Sequence, residues 1–367
     1  RFREVEVELA EGSDRKDDRG VGDAFRKVLA ALEKSGAQRR LQPKIAVALG
    51  LSAARPARHP IEVDRRSTLD VLVRRSLASS LDRLLDHDLR LRLDPSDPPV
   101  EDVHQARVAT RRLRADLKTF RPALDEIWAG QTRNDLKWVG GILGRVRDLD
   151  VLAETLSTPR PGQPMEAAGR RELLGKLADQ RRGASRQLVE VIDSDPRYLR
   201  LLDRLHAAAT EPPFRLGRST GRRSGRDPAP DQIARSVMPR LITTSWRSLR
   251  RTVRRAGKRP TNRQLHQIRI RSKQLRYACE IAAPVVGKRS RRTAVAAARI
   301  QRVLGDHHDA VAAEEWLWNE TLGASPWAAF AAGQMTADLR RRRSRLRRRW
   351  LRAWSRLDRP AVRRWLR

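Results

Sequence analysis

The amino-acid sequence predicts an all-α fold of two duplicated helical bundles with pseudo-twofold symmetry, preceded by a small α/β segment. Three observations predict it. From Ser67 onward, apolar residues recur every three to four positions almost to the end of the chain, which is the spacing of amphipathic helices. Alternation of β-branched residues is scarce over the same stretch. One segment also recurs on both sides of a Gly- and Pro-rich break, which indicates an internal duplication.

The first 55 residues have a different pattern. Apolar residues alternate with Glu4, Glu6 and Glu8, which predicts a half-buried strand with three carboxylates on one face. Ala24–Leu32 has helical spacing, and residues 50–60 are expected to form a linker. One strand and one helix cannot bury a core by themselves, and the chain does not begin with Met. We therefore expect this segment to be the end of a domain whose beginning precedes this sequence.

The remaining residues, 60–367, are expected to form one helical domain. Its largest break, residues 216–230, contains four Arg residues and is expected to be a flexible basic linker. This linker separates two helical units, about 67–209 and 230–358. The division into two units of similar length is what a duplication predicts.

Two segments of the first unit recur in the second. Val103–Arg114 aligns with Leu265–Arg276 at an offset of 162, with His, Gln, Arg, Leu and Arg in register. Leu143–Asp148 aligns with Leu304–Asp309 at an offset of 161. Two matches in the same order and at nearly equal offsets indicate that the units are duplicates.

Each repeated helix carries a basic row beside its apolar row, about 100° further around the helix. The rows have one sign of charge, whereas a solvated helix face usually interleaves both signs at i,i+4. Guanidinium groups also hold phosphate oxygens two at a time. We interpret the rows as an anion-binding surface, with an ordinary solvated face as the alternative. The rows are His104, Arg107, Arg111, Arg114 and Lys118 on the first helix, and His266, Arg269, Lys273 and Arg276 on the second.

His104 and His266 begin the two rows, and their residue type leaves three roles open. These are contact with the anion, a hydrogen bond at the helix end, and metal ligation. No HxxxH or CxxC spacing supports a metal site. Asp148 and Asp309 occupy matched positions and are expected to tie one helix to another through an ion pair. The sequence therefore predicts no catalytic residue, no metal and no cofactor.

The charge of the chain calls for an anionic partner. Its 367 residues include 79 Lys and Arg against 44 Asp and Glu, a formal charge of +35. No apolar run is long enough to span a membrane, and one cysteine, Cys279, excludes an internal disulfide. These features favour a cytoplasmic protein without a membrane partner. Weak, nonspecific binding of nucleic acid is an alternative, although only 4% of residues are aromatic and no basic row carries Phe or Tyr at stacking positions.

The helical part resembles the CHAD domain, a helical module named for its recurring histidines. The resemblance covers roughly residues 67–358, and in the second unit Asp306-His307-His308 departs from the Arg145-Val146-Arg147 of the first. The resemblance rests on four segments: His104-x-x-Arg107-Val108-x-x-Arg111-Arg112-Leu113-Arg114; Leu136-Lys137-Trp138 followed by Leu143-Gly144-x-x-Arg147-Asp148-x-Asp150-Val151; His266-x-x-Arg269-x-x-x-Lys273-x-x-Arg276-Tyr277; and Leu304-Gly305 ahead of Asp309.

Similarity to this family implies two helical bundles whose basic helices line a central groove or pore. It also implies that this groove binds inorganic polyphosphate without catalysis, which makes polyphosphate granules one candidate location. The residues implied to bind polyphosphate are His104, Arg107, Arg111, Arg112, Arg114, Lys118, Lys137, Arg147, His266, Arg269, Lys273 and Arg276.

Residues 1–55 resemble the end of a CYTH domain, the triphosphate tunnel fold that often precedes CHAD. The resemblance rests on the acidic strand, and Pro43-Lys44 resembles a Ser-Lys pair with Ser replaced. The opening Glu-x-Glu-x-Lys strand of that family is absent. We therefore expect no closed tunnel and no hydrolase activity from this sequence. Metal-dependent triphosphatase activity of an intact parent protein is the alternative enzymatic hypothesis.

Overall fold

The chain divides into two units, Arg1–His59 and Pro60–Arg367. The computed structural model describes residues 27–28, 30–32, 34–36, 61–93, 97–157, 164–215 and 228–366. In the first unit, the described residues from 27 to 34 are helical, and Ser35 and Gly36 form a turn. Several predictions lie outside the described residues: the strand with Glu4, Glu6 and Glu8, the Pro43-Lys44 pair, the linker at 50–60 and most of the basic linker at 216–230.

The second unit is built from helices. Its described residues contain no strand, and their β-structure is limited to two isolated bridges. No helix described here has the length and apolar character that crossing a membrane requires. The helices are α1 Leu69–Leu93, α2 Val100–Phe120, α3 Glu126–Leu156, α4 Pro164–Ser194, α5 Pro196–Thr210, α6 Ala234–Ala256, α7 Asn262–Val286, α8 Lys288–Glu320, α9 Pro326–Leu357 and α10 Pro360–Arg363, followed by the 3-10 turn Arg364–Leu366.

The two halves of this unit repeat one packing order. In the first half, α1 packs on α2, α2 on α3 and α3 on α4, and in the second half α6, α7, α8 and α9 pack in the same sequence. The halves meet mainly through α2 with α7, α3 with α8 and α4 with α9, and smaller contacts join α6 to α1 and to α2. The three main pairs and the pair of α1 with α6 join matched members of the two halves. This is the pseudo-twofold duplication that the sequence predicts, and the all-α class is confirmed.

The apolar rows of the repeated helices are buried, as predicted. Each fully buried Leu or Ile stabilises the fold by about 2 kcal/mol relative to an exposed one. The two polar members are satisfied within their own helices, because the Thr110 hydroxyl donates to the Arg107 carbonyl at 3.0 Å and the Ser272 hydroxyl donates to the Ile268 carbonyl at 2.8 Å. The buried rows are Val103, Ala106, Thr110, Leu113, Leu117 and Phe120 on α2, and Leu265, Ile268, Ser272, Leu275 and Cys279 on α7.

Local sequence signals fix both ends of α7. At its start, Thr261 Oγ1 accepts a hydrogen bond from the Gln264 backbone N at 3.2 Å, and Gln264 Oε1 accepts one from the Thr261 backbone N at 2.8 Å. This reciprocal capping box satisfies two amides that the helix leaves without partners. At its end, Gly287 has a φ of 83°, which only glycine adopts without strain. These signals set the register of the helix that carries the second basic row.

The first helices of the two halves start side by side. Thr68 and Ile233 form an antiparallel β-bridge just before α1 and α6. The backbone N of Leu69 donates to the Gln232 carbonyl at 2.8 Å, and the backbone N of Ala234 donates to the Ser67 carbonyl at 3.0 Å. The two halves are therefore joined through their backbones at matched points.

Candidate functional site

Four cationic side chains converge where α2 meets α7. Arg107 and Arg111 come from α2, Arg269 and Lys273 come from α7, and all four are half-buried. Burial, followed by the positive charges of Arg269, Arg111 and Arg107, lowers the pKa of Lys273 to about 6. The pKa of Arg269 is also lowered, first by burial and further by Arg111 and Arg107, with Asp309 opposing. We call these four residues the cation cluster. An anion placed among them would relieve this repulsion.

The cation cluster retains hydrogen-bond donors that nothing satisfies. Within the described part of the chain, the Nε atoms of Arg111 and Arg269 are buried and have no hydrogen-bond partner, and neither does Nδ1 of His266. Buried polar atoms in proteins are almost always paired, so each exception requires an explanation. Two of the three atoms belong to the cation cluster, and the third belongs to the histidine that begins the basic row of α7.

Arg107 is held in place by the second repeated motif. Its Nη1 donates to Oδ1 of Asp148 at 2.7 Å and to the Gly144 carbonyl at 3.3 Å. A Cβ on Gly144 would lie 3.6 Å from the guanidinium carbon of Arg107, and one on Gly305 would lie 3.8 Å from Nε of Arg269. Because the glycine of each repeated Leu-Gly pair has no side chain, the arginine can pack directly against the helix backbone there. The predicted ion pair of Asp148 is confirmed.

His104 and His266, which begin the two basic rows, occupy matched positions but have different neighbours. Burial lowers the pKa of His104, and the charge of Arg147 lowers it further. Burial also lowers the pKa of His266, followed by Arg269 and Lys273. The ring of His266 lies beside that of His308, with centroids 4.4 Å apart. His308 and Arg147 occupy matched positions in the two repeats. His104 therefore lies near Arg147 in the first half, and His266 lies near His308 in the second. Among the described residues, no group of three His, Cys, Asp or Glu side chains is arranged to hold a metal ion.

A cavity of about 470 Å³ opens beside the cation cluster. Arg112 donates to Glu280, and Nε of Arg276 donates to the same carboxylate at 2.7 Å. Both guanidinium groups also lie over the Tyr277 ring, at 5.4 Å for Arg112 and 5.7 Å for Arg276. The polar and charged lining comprises Arg75, Ser76, Ser79, Ser80, Arg83, His104, Arg111, Arg112, Arg276, Tyr277, Glu280 and Gln301.

The basic row of α2 divides between two surroundings. Arg114 and Lys118, its last members, lie near Arg133 of α3 and Arg271 of α7 rather than within the cation cluster. Burial, followed by Arg271 and Arg133, lowers the pKa of Lys118 to about 8. The pKa of Arg114 is lowered by burial and then by Arg133. We call these four residues the outer cluster.

Two of the sequence-predicted residues lie on α3. Arg147 is half-buried beside His104, and its Nη2 lies 4.0 Å from the Glu154 carboxylate. Lys137 is exposed, and no contact described in the structure ties it to the cation cluster or to the cavity. The structure thus brings together residues from both rows and Arg147, but it leaves Lys137 apart.

Sequence reasoning missed several residues of the site. Arg75 and Arg83 of α1 line the cavity, Arg133 and Arg271 belong to the outer cluster, and Glu280 pairs with two cavity arginines. The sequence could have indicated Arg75 and Arg83, because residues eight positions apart lie on one side of a helix. Arg271 and Arg133 carried no such signal, since only the packing of α3 and α7 against α2 brings them together.

Comparison with known proteins decides the family. Residues 75–318 match the family model of the CHAD domain. This chain belongs to the CHAD domain family. That match takes in the cation cluster, the outer cluster and all of the cavity lining except Leu72, so these sites are features of the CHAD domain of this chain.

Two curated relatives and two solved structures are similar to this chain. Two uncharacterized proteins of Mycobacterium tuberculosis, from strains CDC 1551 and H37Rv, are each 29% identical over 258 residues, which is 69% of this chain. The match covers 46% of each relative, so it takes in about half of their length. The CHAD domain of the plant Ricinus communis has a similar fold, with a TM-score of 0.58, 24% identity and coverage of 84% of this chain and 94% of that one. PptA from Streptomyces chartreusis also has a TM-score of 0.58, with 22% identity and coverage of 79% and 100%.

Proposed function

We propose that this CHAD domain binds inorganic polyphosphate at the cation cluster and the adjoining cavity, without catalysis. The observation that supports it best is the convergence of Arg107, Arg111, Arg269 and Lys273 from two matched helices. In the free protein these side chains disfavour one another's charged forms, which lowers the pKa of Lys273 and of Arg269, and a bound polyanion would offset that effect. A chain of linked phosphates supplies one negative charge at each repeat, so it can contact several of these cations at once.

The hydrogen-bonding chemistry of the site suits phosphate oxygens. Arginine forks hold tetrahedral oxyanions in pairs of hydrogen bonds, and the free Nε atoms of Arg111 and Arg269 complete such forks. The cavity adds the hydroxyl group of Ser79, whereas those of Ser76 and Ser80 donate to Asp116. Hydrogen bonds that involve a charged partner stabilise a complex by about 1.5 to 3 kcal/mol each.

Nucleic acid is the competing polyanion. Its bases need aromatic platforms for single-strand binding or a protruding element for groove binding. Of the described residues that line the cavity, one is aromatic, and that ring is covered by Arg112 and Arg276. This arrangement favours a ligand that consists of phosphate alone.

The experiment that tests the proposal compares ligands and one matched pair of variants. Affinities for long polyphosphate, single-stranded RNA and tripolyphosphate would be measured by calorimetry at one salt concentration. Arg269→Gln removes a charge from the cation cluster, and Lys137→Gln removes one charge from an exposed position outside it. We expect Arg269→Gln to weaken polyphosphate binding at least about tenfold. Lys137→Gln should change it by less than about twofold.

Two results would contradict the proposal. Equal losses in both variants would show that only net charge matters, and tighter binding of RNA than of polyphosphate at equal phosphate concentration would favour nucleic acid. The proposed absence of catalysis is tested by phosphate release from polyphosphate or tripolyphosphate with Mg²⁺ or Mn²⁺, where we expect none. Binding in the presence of a chelator should persist. Metal-dependent turnover that disappears in Glu4→Gln, Glu6→Gln would instead support the triphosphatase hypothesis.

A further inference from the structure

One carboxylate sits among the arginines of the cavity. Glu280 of α7 accepts hydrogen bonds from Arg112 of α2 and from Arg276 one helical turn before it, the latter at 2.7 Å. Among the described residues that line the cavity, Glu280 is the single acidic side chain. Two of the five lining arginines are therefore neutralised by the protein itself. The side chains of Arg112 and Arg276 are 30% and 33% exposed, so a ligand that enters the cavity can reach both guanidinium groups.

The duplication shows that the helix does not need an acid at this position. Glu280 corresponds to Lys118 in the first repeat, at the offset of 162 that relates the two basic rows. In the outer cluster, Lys118 adds a positive charge beside Arg133 and Arg271. The two matched positions therefore carry opposite charges within the same architecture.

Arg112 has a second carboxylate within reach. Its Nε lies 3.9 Å from Oδ1 of Asp116, a buried atom for which the described structure provides no hydrogen-bond donor. The other oxygen of Asp116 accepts hydrogen bonds from Ser76 at 2.9 Å and Ser80 at 3.2 Å. If Glu280 is displaced, Arg112 can share its donors between Asp116 and the incoming anion. Loss of Glu280 therefore does not leave the guanidinium without a partner.

We propose that Glu280 is an internal competitor for the phosphate site, which holds Arg112 and Arg276 until a polyphosphate chain displaces it. This inference rests on the proposed function and concerns which anions occupy the cavity. A single phosphate must replace the carboxylate without help from neighbouring contacts. A chain already bound to the cation cluster brings its next phosphates to the cavity at high effective concentration. Glu280 thus makes the cavity selective for linked phosphates over free orthophosphate.

The test uses a matched control within the same chain. Glu314 also pairs with two arginines, Arg340 and Arg343, and lies away from the cavity between α8 and α9. Glu280→Gln and Glu314→Gln therefore make the same change of charge, and each replaces a carboxylate that pairs with two arginines. Glu280→Ala serves as a second variant, so a folding defect in one of them does not decide the result. Orthophosphate, tripolyphosphate and long polyphosphate are titrated into each protein over a range of salt concentrations.

We expect Glu280→Gln and Glu280→Ala to bind tripolyphosphate about tenfold more tightly than the unaltered protein. Orthophosphate should gain a similar factor, and long polyphosphate should gain less because it has contacts outside the cavity. Arg112 and Arg276 would then attract counterions in the free variants. The slope of log K against log salt should become steeper by about 0.7 to 0.9 for each arginine that gains a counterion. Glu314→Gln should change neither quantity.

Weaker binding in both Glu280 variants would overturn the inference, because it would show that the carboxylate positions the arginines for the ligand. Unchanged affinity and slope would overturn it as well, since Glu280 would then remain in place in the complex. Both outcomes require that the unaltered protein binds polyphosphate. If it does not bind, the proposed function itself fails, and the two failures are distinguishable.

Discussion

The imidazole rings of His266 and His308 lie with their centroids 4.4 Å apart and their planes inclined by 48°. One ring belongs to α7 and the other to α8, so the contact joins the two repeated segments of the second half. Burial, followed by the charge of Arg269 and then by His266, lowers the pKa of His308 to about 4. The fold therefore favours the neutral form of this ring.

Acid should destabilise the protein partly through His308. Its folded pKa of about 4 lies below its ordinary value of 6.5, so the unfolded chain binds an extra proton as the pH falls through that interval. His308→Gln should lose less stability between pH 6.5 and pH 4, by up to about 1.4 kcal/mol per pH unit. Urea unfolding at several pH values measures this, with His206→Gln on the exposed face of α5 as the control. Identical pH dependence in all three proteins would contradict it.

Polyphosphate binding should be linked to proton uptake at Lys273. In the free protein its pKa is about 6, so the amine is largely neutral at pH 7.5, and a bound polyanion favours the charged form. Affinity should fall as the pH rises from about 6.5 to 8, by up to about tenfold per unit. Lys273→Arg keeps its charge and should give a flat profile over this range.

Calorimetry in two buffers with different ionisation enthalpies measures the proton uptake directly. The unaltered protein should take up as much as one proton per bound site at pH 7.5, and Lys273→Arg should take up markedly less. A pH-independent affinity in the unaltered protein would show that Lys273 makes no contact with the ligand.

Asp116 should make the protein less stable as the pH rises. Burial raises its pKa to about 7, whereas an unfolded Asp titrates near 3.8, so the fold holds a proton that the unfolded chain releases between these values. Asp116→Asn keeps an oxygen that accepts from Ser76 and Ser80 but has no proton to lose. Relative to the unaltered protein, this variant should gain stability from pH 4 to pH 7, by about 1.4 kcal/mol per unit of pKa difference. Chemical unfolding at both pH values tests this, and a constant difference would contradict it.

Two glycines of α4 should respond oppositely to alanine. A Cβ on Gly169 would overlap the backbone carbonyl of Trp327, where α4 meets the start of α9, whereas one on Gly175 would meet nothing within 4 Å. Gly169→Ala should therefore destabilise the fold by about 3 kcal/mol because the backbone of α9 has to move. Gly175→Ala should stabilise it by about 1 kcal/mol, the difference in helix propensity. Thermal unfolding of both variants measures the contrast, which equal shifts in Tm would refute.

The sequence was sufficient for the fold because the duplication and the apolar spacing are properties of single helices. Rows such as Val103 to Phe120 could be placed on the buried face from periodicity alone, and every member of that row is buried. The basic rows also depend on one helix at a time. Their division into a cation cluster and an outer cluster depends on Arg271 and Arg133, which approach α2 only in the tertiary structure.

The pairing of Glu280 was beyond sequence reasoning for a related reason. The alignment of the repeats places it opposite Lys118, which marks a difference between the halves but gives no partner. Its contact with Arg112 joins residues of α7 and α2, and that contact follows from how the two helices cross. Arg276, one turn before Glu280, was the part of the interaction that helical spacing could have predicted.

The bridge between Thr68 and Ile233 has a consequence for synthesis of the protein on the ribosome. Thr68 lies at the start of the first half and Ile233 at the start of the second. The first half therefore leaves the ribosome before Ile233 has been synthesised. Contacts between residues so distant in sequence slow folding, because a large loop must close before they form. The amide of Leu69, which donates to Gln232 in the finished fold, stays without that partner during this interval. The basic helices of the first half are thus complete before the second half can pack against them.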